Sequence, residues 1–171
     1  MLILLSPAKT LDYSIDSKRV YACGFSNGGM MSYGLAHHKS NLIAAVASVS
    51  GAMLDPESSP IHPMPVLIIH GTNDDVIPYN GSNDYNSLES TMNYWINFNK
   101  IDSLSKSKTT TSGSYSIQYF SYGVGENGVS VEHYKVIQGG HEWFNINYEG
   151  NNTNELIWNF FSKYDIDGFV E

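Results

Sequence analysis

The segment Gly24-Phe25-Ser26-Asn27-Gly28 joins a stretch with a strand pattern to a stretch with a helix pattern, and this strand-to-helix junction indicates the fold. Residues 19–23 form a short apolar run that is typical of a strand, whereas the residues after Gly28 repeat apolar side chains at helical spacing as far as His37-His38. A serine between two glycines at a strand-to-helix junction is typical of a sharp turn that lifts the hydroxyl above a sheet edge. We therefore predict an exposed Ser26 at the carboxyl end of a strand.

Strands and helices alternate along the rest of the chain. Strand patterns cover residues 42–49, 65–70, 115–122 and 129–137, and helical patterns cover residues 87–99 and 154–164. Residues 2–5 also resemble a short strand, and the polar residues 103–116 are predicted to form a surface loop. This alternation predicts the α/β class, with a mostly parallel sheet and flanking helices. A length of 171 residues fits a single domain over residues 1–171.

Charge and composition exclude several classes of partner. The chain has 9 basic and 17 acidic residues and a net charge of −8, without a basic cluster, so we expect no nucleic-acid or membrane partner. No apolar run is long enough to predict a membrane span. Cys23 is the only cysteine and can form no intrachain disulfide, which leaves the localisation open.

Two later strand ends supply the partners that a serine nucleophile needs. Asp74 follows the aliphatic strand at residues 65–70, and His141 follows Gly139-Gly140 after the last strand. The order Ser, Asp, His is that of hydrolases with this strand-turn-helix motif. We predict Ser26 as nucleophile, His141 as base and Asp74 as the acid that orients it, with Asp75 as the alternative acid.

Other residues have weaker predicted roles. The backbone N–H of Asn27 is predicted to bind an oxyanion, and Trp143 and Tyr79 are predicted to line a substrate pocket. His37-His38 are interpreted as a solvated helix end, because cations favour that terminus. His62 and His133 have no partners at metal-ligand spacing, so we predict no metal and no cofactor.

The chain resembles the family of polyhydroxybutyrate depolymerases and feruloyl esterases. The similarity lies in residues 15–33, in His70-Gly71-Thr72-Asn73-Asp74, and in Gly139-Gly140-His141-Glu142-Trp143, and it covers roughly residues 11–164. The resemblance implies an α/β hydrolase acting on short-chain esters, polyester, or feruloyl and acetyl groups of plant polysaccharide. It implies the same three residues, Ser26, Asp74 and His141, as the triad.

The amino-terminal part departs from that family, whose members carry about a hundred residues before the nucleophile strand. Residues 1–13 resemble instead the start of a peroxide-stress DNA-binding family, although the charge of −8 disfavours DNA binding. We therefore expect a truncated α/β hydrolase in which the strand at residues 19–23 is a sheet edge. Residues 2–5 could pair there, or a second copy could, and we predict a homodimer. The alternative to an esterase is an inactive scaffold or a remnant that binds esters or saccharides.

Overall fold

A six-stranded sheet forms the centre of the computed structural model, which describes residues 14–54, 57–102 and 104–170. Its strands, numbered along the chain, are β1 (Tyr21–Phe25), β2 (Ala45–Val49), β3 (Val66–Gly71), β4 (Leu104–Ser112), β5 (Tyr115–Tyr122) and β6 (Val131–Ile137). The spatial order is β1-β2-β3-β6-β5-β4. The first four in this order are parallel, and β5 and β4 continue the sheet antiparallel. The sheet is therefore mostly parallel, as predicted.

Three helices cover the two faces of the sheet. Helices α1 (Asn27–His38) and α2 (Leu88–Phe98) pack on one face, where Tyr33 and Trp95 are buried against the strands. Helix α3 (Thr153–Phe161) packs on the other face through Phe160 and Phe161. Because β2 and β3 are covered on both faces, their residues are all buried, which explains why most of their side chains are aliphatic.

Local capping fixes where two of the helices begin. The side chain of Ser87 accepts a hydrogen bond from the backbone N–H of Ser90 at the start of α2. Asn152 and Glu155 form a reciprocal capping box at the start of α3. Both devices satisfy backbone N–H groups that have no acceptor within the helix.

The prediction of a loop at residues 103–116 was wrong. Residues Leu104–Ser112 form β4, which pairs antiparallel with β5 through a two-residue turn in which Gly113 has a φ of 57°. Most side chains of β4 are exposed, so the strand is held by backbone pairing and leaves no apolar alternation in the sequence. Its threonines suit a strand without requiring burial.

Several boundaries also differ from the prediction. The first described strand begins at Tyr21, the second begins at Ala45, and α3 ends at Phe161. Before α3, β7 (Asn147–Tyr148) and β8 (Asn151–Asn152) form a small antiparallel pair, and after α3, β9 (Tyr164–Asp165) and β10 (Gly168–Phe169) form another. The strand predicted at residues 2–5, and the whole segment 1–13, lie outside the described residues.

Candidate active site

Ser26 occupies a sharp turn between β1 and α1. Its backbone has φ 54° and ψ −119°, a conformation that non-glycine residues rarely adopt, and its N–H donates to the carbonyl of Val49 at 2.9 Å. A Cβ added to Gly24 would lie 2.4 Å from the backbone of Gly28, so this turn closes only with glycine at position 24. A Cβ on Gly28 would meet no atom within 4 Å. The steric requirement therefore falls on the first glycine of the motif.

Among the three residues predicted to act together, His141 lies within hydrogen-bonding distance of both Ser26 and Asp74. His141 Nε2 is 2.9 Å from Ser26 Oγ, and His141 Nδ1 is 2.9 Å from Asp74 Oδ2. The Asp74 side chain is fully buried, and that of His141 is 16% exposed. A carboxylate at Nδ1 makes that nitrogen the donor, so Nε2 is free to accept the serine proton.

Close packing of two loops brings Asp74 and His141 together. A Cβ on Gly71 would lie 2.2 Å from the carbonyl oxygen of Gly139, so the chains after β3 and β6 touch backbone to backbone. Asn73 N–H donates to that carbonyl at 2.9 Å, and the backbone N–H of Gln138 donates to Thr72 Oγ1 at 2.8 Å. The two strand ends are thereby fixed in register.

Only one of the two adjacent aspartates faces the histidine. Asp74 Oδ1 accepts from the backbone N–H groups of Val76 and Ile77, at 3.0 and 2.8 Å, which turns Oδ2 toward His141. Asp75 is exposed. The geometry therefore favours Asp74 over the alternative acid.

The loop that carries His141 is held from two further sides. The buried Ser50 donates from its hydroxyl to the carbonyl of Glu142 at 3.1 Å, and the Tyr115 hydroxyl donates to the Glu142 carboxylate at 2.8 Å. The ring of Phe25 lies 4.9 Å from the His141 ring. No sequence pattern indicated these supports, because they depend on which side chains meet across separate elements.

Asn27 is the first residue of α1. The first hydrogen bond of this helix runs from Met30 N–H to the carbonyl of Ser26 at 3.0 Å. The N–H of Asn27 precedes it and has no acceptor within the helix. This donor lies beside Ser26 at a helix N-terminus, where negative charge is favoured.

The two predicted pocket residues lie in different places. Trp143 is 39% exposed and lines an apolar cavity of about 370 Å³ along β1, together with Tyr21 and Cys23. Tyr79 lies behind the Asp74 loop, where its hydroxyl is 2.9 Å from His133 Nε2 and burial raises its pKa to about 12. The structure does not bring Tyr79 to Ser26.

The remaining histidines have structural surroundings. His37 is buried and stacks on Trp95, so the prediction of a solvated helix end was wrong for His37, although His38 is exposed. Burial lowers the pKa of His37. In the part of the chain that the structure describes, no cluster of three or more histidine, cysteine or acidic side chains could hold a metal ion. No helix in that part is long and apolar enough to cross a membrane.

The fold and the serine turn define an α/β hydrolase. Residues 8–122 match the family described as Phospholipase/Carboxylesterase, and the chain belongs to this family. The predicted similarity to α/β-hydrolase esterases is therefore confirmed. The polyhydroxybutyrate depolymerase part of that resemblance stays a prediction.

Curated relatives are esterases of greater length. The chain is 31% identical over 161 residues to a bifunctional acetylxylan esterase/xylanase, XynS20E, of Neocallimastix patriciarum, which covers 93% of this chain and 22% of that protein. It is 40% identical over 70 residues to a probable feruloyl esterase C of Aspergillus clavatus, covering 41% of this chain and 26% of the relative. The chain thus spans about a quarter or less of the relatives it matches.

Solved structures share the fold. An acetyl xylan esterase from Aspergillus awamori superposes with a TM-score of 0.59 at 14% identity, over 90% of this chain and 63% of that one. Esterase PE8 superposes with a TM-score of 0.51 at 20% identity, over 84% of this chain and 50% of that one. At these identities the likeness concerns the fold alone.

Proposed function

We propose that the chain is a serine esterase that hydrolyses short-chain carboxylic esters through an acyl-enzyme. The observation that carries this proposal is the continuous hydrogen-bonded path from Ser26 Oγ through His141 to Asp74, with both contacts at 2.9 Å. A serine hydroxyl needs an adjacent base, and the base needs an acid that fixes its tautomer. All three roles are filled at one edge of the sheet.

The reaction proceeds in two balanced steps. His141 Nε2 takes the proton of Ser26 as the serine oxygen bonds to the ester carbonyl carbon, and the same proton passes to the departing alkoxide as the ester C–O bond breaks. Water then gives a proton to His141 and attacks the acyl-serine, which releases the acid and returns the proton to Ser26. Asp74 stays ionised and orients the imidazole throughout.

The N–H of Asn27 would donate to the oxyanion in both tetrahedral intermediates. Negative charge that develops at a helix N-terminus is stabilised by free N–H groups and by the helix dipole. In hydrolases with this motif, a second donor from another loop completes the site. Loss of one such donor typically lowers turnover by about 10² to 10³.

The substrates we propose are small esters, and acyl groups on plant polysaccharide in particular. The support is that relatives of the chain are named acetylxylan esterase and feruloyl esterase. Trp143, which is two residues after His141 and 39% exposed, would contact the acyl or aryl group. Polyester remains a further candidate from the predicted resemblance.

Hydrolysis of p-nitrophenyl acetate and butyrate by the purified chain and its Ser26→Ala variant tests this function. We expect turnover by the parent chain and only the uncatalysed rate with the variant, because the variant lacks the nucleophile. Equal inertness of both proteins would contradict the proposal and support the alternative, an inactive hydrolase scaffold.

We also propose that two copies of the chain pair along β1. Among the described strands β1 pairs only with β2, and Val20 and Ser26 direct their backbone groups toward that neighbour. In a strand, the backbone N–H and C=O groups of successive residues point alternately toward the two neighbouring strand positions. Those of Tyr21, Cys23 and Phe25 therefore point to the open side of β1, opposite β2. An open edge of this kind is a template for pairing with another chain.

Exposed aromatic surface beside this edge supports the pairing. Trp158 is 61% exposed and lines the same cavity as Trp143, and the cavity wall is otherwise mostly apolar. A twofold axis through β1 would cover both the edge and this surface.

Light scattering on the 19.0 kDa chain tests the dimer, with Cys23→Lys as the disrupting variant. We expect the parent to have twice the chain mass and Cys23→Lys to be monomeric, because charge at an edge opposes pairing. Asn93→Lys, which adds the same charge at an exposed position of α2, serves as the control and should remain dimeric. A monomeric parent at all concentrations would contradict the proposal.

A further inference from the structure

The Asp74 carboxylate contacts a second histidine. His70, in β3, is fully buried, and its Nε2 lies 3.2 Å from Asp74 Oδ2. The same oxygen is 2.9 Å from His141 Nδ1. Asp74 Oδ2 therefore stands between two imidazoles, of which only His141 contacts Ser26.

The partners of His70 define its protonation. Its Nε2 also lies 2.9 Å from the carbonyl oxygen of Ile77, so both groups near this nitrogen are acceptors and Nε2 carries a proton. Its Nδ1 is buried and has no hydrogen-bond partner among the described residues. A second proton there would be an unpaired buried charge, and burial accordingly lowers the pKa of His70. His70 is thus a neutral donor.

His70 and the turn after Asp74 brace each other. The Nε2–H of His70 donates to the Ile77 carbonyl, while the backbone N–H of Ile77 donates to Asp74 Oδ1 at 2.8 Å. The contact from His70 to Oδ2 closes this ring of interactions. Both carboxylate oxygens are then fixed, and rotation of the carboxylate away from His141 would break at least one contact.

We propose that His70 is a positioning residue for the ester hydrolysis proposed above, on which this inference rests. Its Nε2–H is donated to the Ile77 carbonyl, and its Nε2 lies 3.2 Å from Asp74 Oδ2, which keeps this oxygen in line with His141 Nδ1. Its neutrality leaves the negative charge of Asp74 available to the imidazolium that forms during the reaction. His70 touches neither Ser26 nor the reacting ester. It acts through Asp74.

Two substitutions separate a positioning role from a packing role. His70→Leu fills the buried space without a donor, whereas His70→Gln keeps an N–H at a similar reach. We expect His70→Leu to lower kcat roughly 10- to 100-fold, with KM little changed, because it removes both the bond to the Ile77 carbonyl and the polar contact with the charged Asp74 carboxylate. His70→Gln should restore most of that loss. His37→Leu is the matched control, because it removes another buried histidine far along α1 and should leave kcat near that of the parent.

A proton NMR spectrum gives a readout that does not depend on turnover. The proton shared by His141 Nδ1 and Asp74 should resonate far downfield in the parent and in His70→Gln, and should weaken or move in His70→Leu. Unchanged kcat and an unchanged resonance in His70→Leu would overturn the positioning role, as would equal losses in the Leu and Gln variants. A parent without turnover would refute the proposed function, and the resonance in parent and His70→Leu would then decide the positioning role alone.

Discussion

Asp74 and Asp75 are neighbours in sequence with opposite surroundings. The carboxylate of Asp74 is buried and contacts two backbone N–H groups and two histidines, whereas Asp75 faces solvent. The same side-chain chemistry therefore has different consequences at the two positions. Only at position 74 can a carboxylate fix the tautomer of His141.

This difference predicts unequal effects of two matched substitutions. Asp74→Asn should lower kcat by about 10³ to 10⁴, because an amide at this position favours the wrong tautomer of the base. Asp75→Asn should change kcat less than about twofold, since exposed groups without partners contribute little. Steady-state hydrolysis of p-nitrophenyl acetate by the two variants measures both effects. Equal activities would contradict the assignment of Asp74.

The glycines that flank Ser26 should also differ. Gly24→Ala should lower the free energy of unfolding by roughly 1–3 kcal/mol, because its Cβ would overlap the backbone of Gly28. Gly28→Ala has open space and lies in the first turn of α1, so it should leave stability unchanged or slightly higher. Urea unfolding of the two variants tests this contrast, and an equal loss from both would argue against it.

The sequence predicted that Ser26, Asp74 and His141 would lie close together, because parallel strands end at a common edge; their catalytic roles stay a prediction. Ser26, Asp74 and His141 each follow a strand, and His141 lies within hydrogen-bonding distance of the other two. His70 carried only a weak signal, a polar residue at the end of the aliphatic run in β3. The sequence did not predict that the Tyr79 hydroxyl contacts His133, because proximity to Asp74 in sequence does not reveal on which side of the loop a side chain lies.

At the scale of elements, the pairing of β3 with β6 buries His133, whose pKa is lowered. His133 is completely buried, and burial lowers its pKa from 6.5 to about 3. Its Nδ1 faces the carbonyl of Ile68 and its Nε2 faces the Tyr79 hydroxyl, while the Lys135 ammonium opposes a positive charge on the ring. The ring is therefore neutral in the folded protein.

This burial predicts a loss of stability in acid. Below pH 6.5 His133 is protonated in the unfolded chain, whereas in the folded protein it stays neutral until about pH 3. The free energy of unfolding therefore falls as the pH falls from 6.5 toward 3. The slope from one such group is about 1.4 kcal/mol per pH unit. Burial also lowers the pKa of His37 and of His70, so these two residues add to the loss of stability in acid.

Urea unfolding of the parent and of His133→Gln between pH 7 and pH 4 measures this contribution. The variant should be less stable at pH 7 but should show a shallower dependence on pH, by about one proton. Parallel curves for the two proteins would show that His133 does not supply the acid sensitivity.

Strand β4 shows why a strand with exposed side chains is not predicted from the sequence pattern. The buried strands β2 and β3 are recognisable in the sequence because most of their residues are aliphatic, as expected for strands with helices on both faces. Strand β4 lies at the sheet edge with mostly exposed side chains, so its sequence resembles that of a polar loop. Pairing of an edge strand depends on backbone groups, which all sequences share.

For the whole molecule, the order of elements predicted the α/β class but left part of the sheet order open. The alternation of strands and helices implied parallel neighbours, and β1, β2, β3 and β6 are parallel neighbours. The antiparallel addition of β5 and β4 had no signature in the apolar pattern; a two-residue turn joins β4 to β5, and residues 123–130 join β5 to β6. The family match and the superposed esterases agree with this architecture.

The central claim is that this chain activates Ser26 as a nucleophile, and reaction with a fluorophosphonate probe tests it most directly. Intact-mass spectrometry of the parent chain should show a single adduct, peptide mapping should locate it on Ser26, and Ser26→Ala should remain unlabelled. An unfolded sample of the parent serves as the control for nonspecific reaction. A folded parent chain that takes up no probe, or takes it up on a residue other than Ser26, would contradict the account.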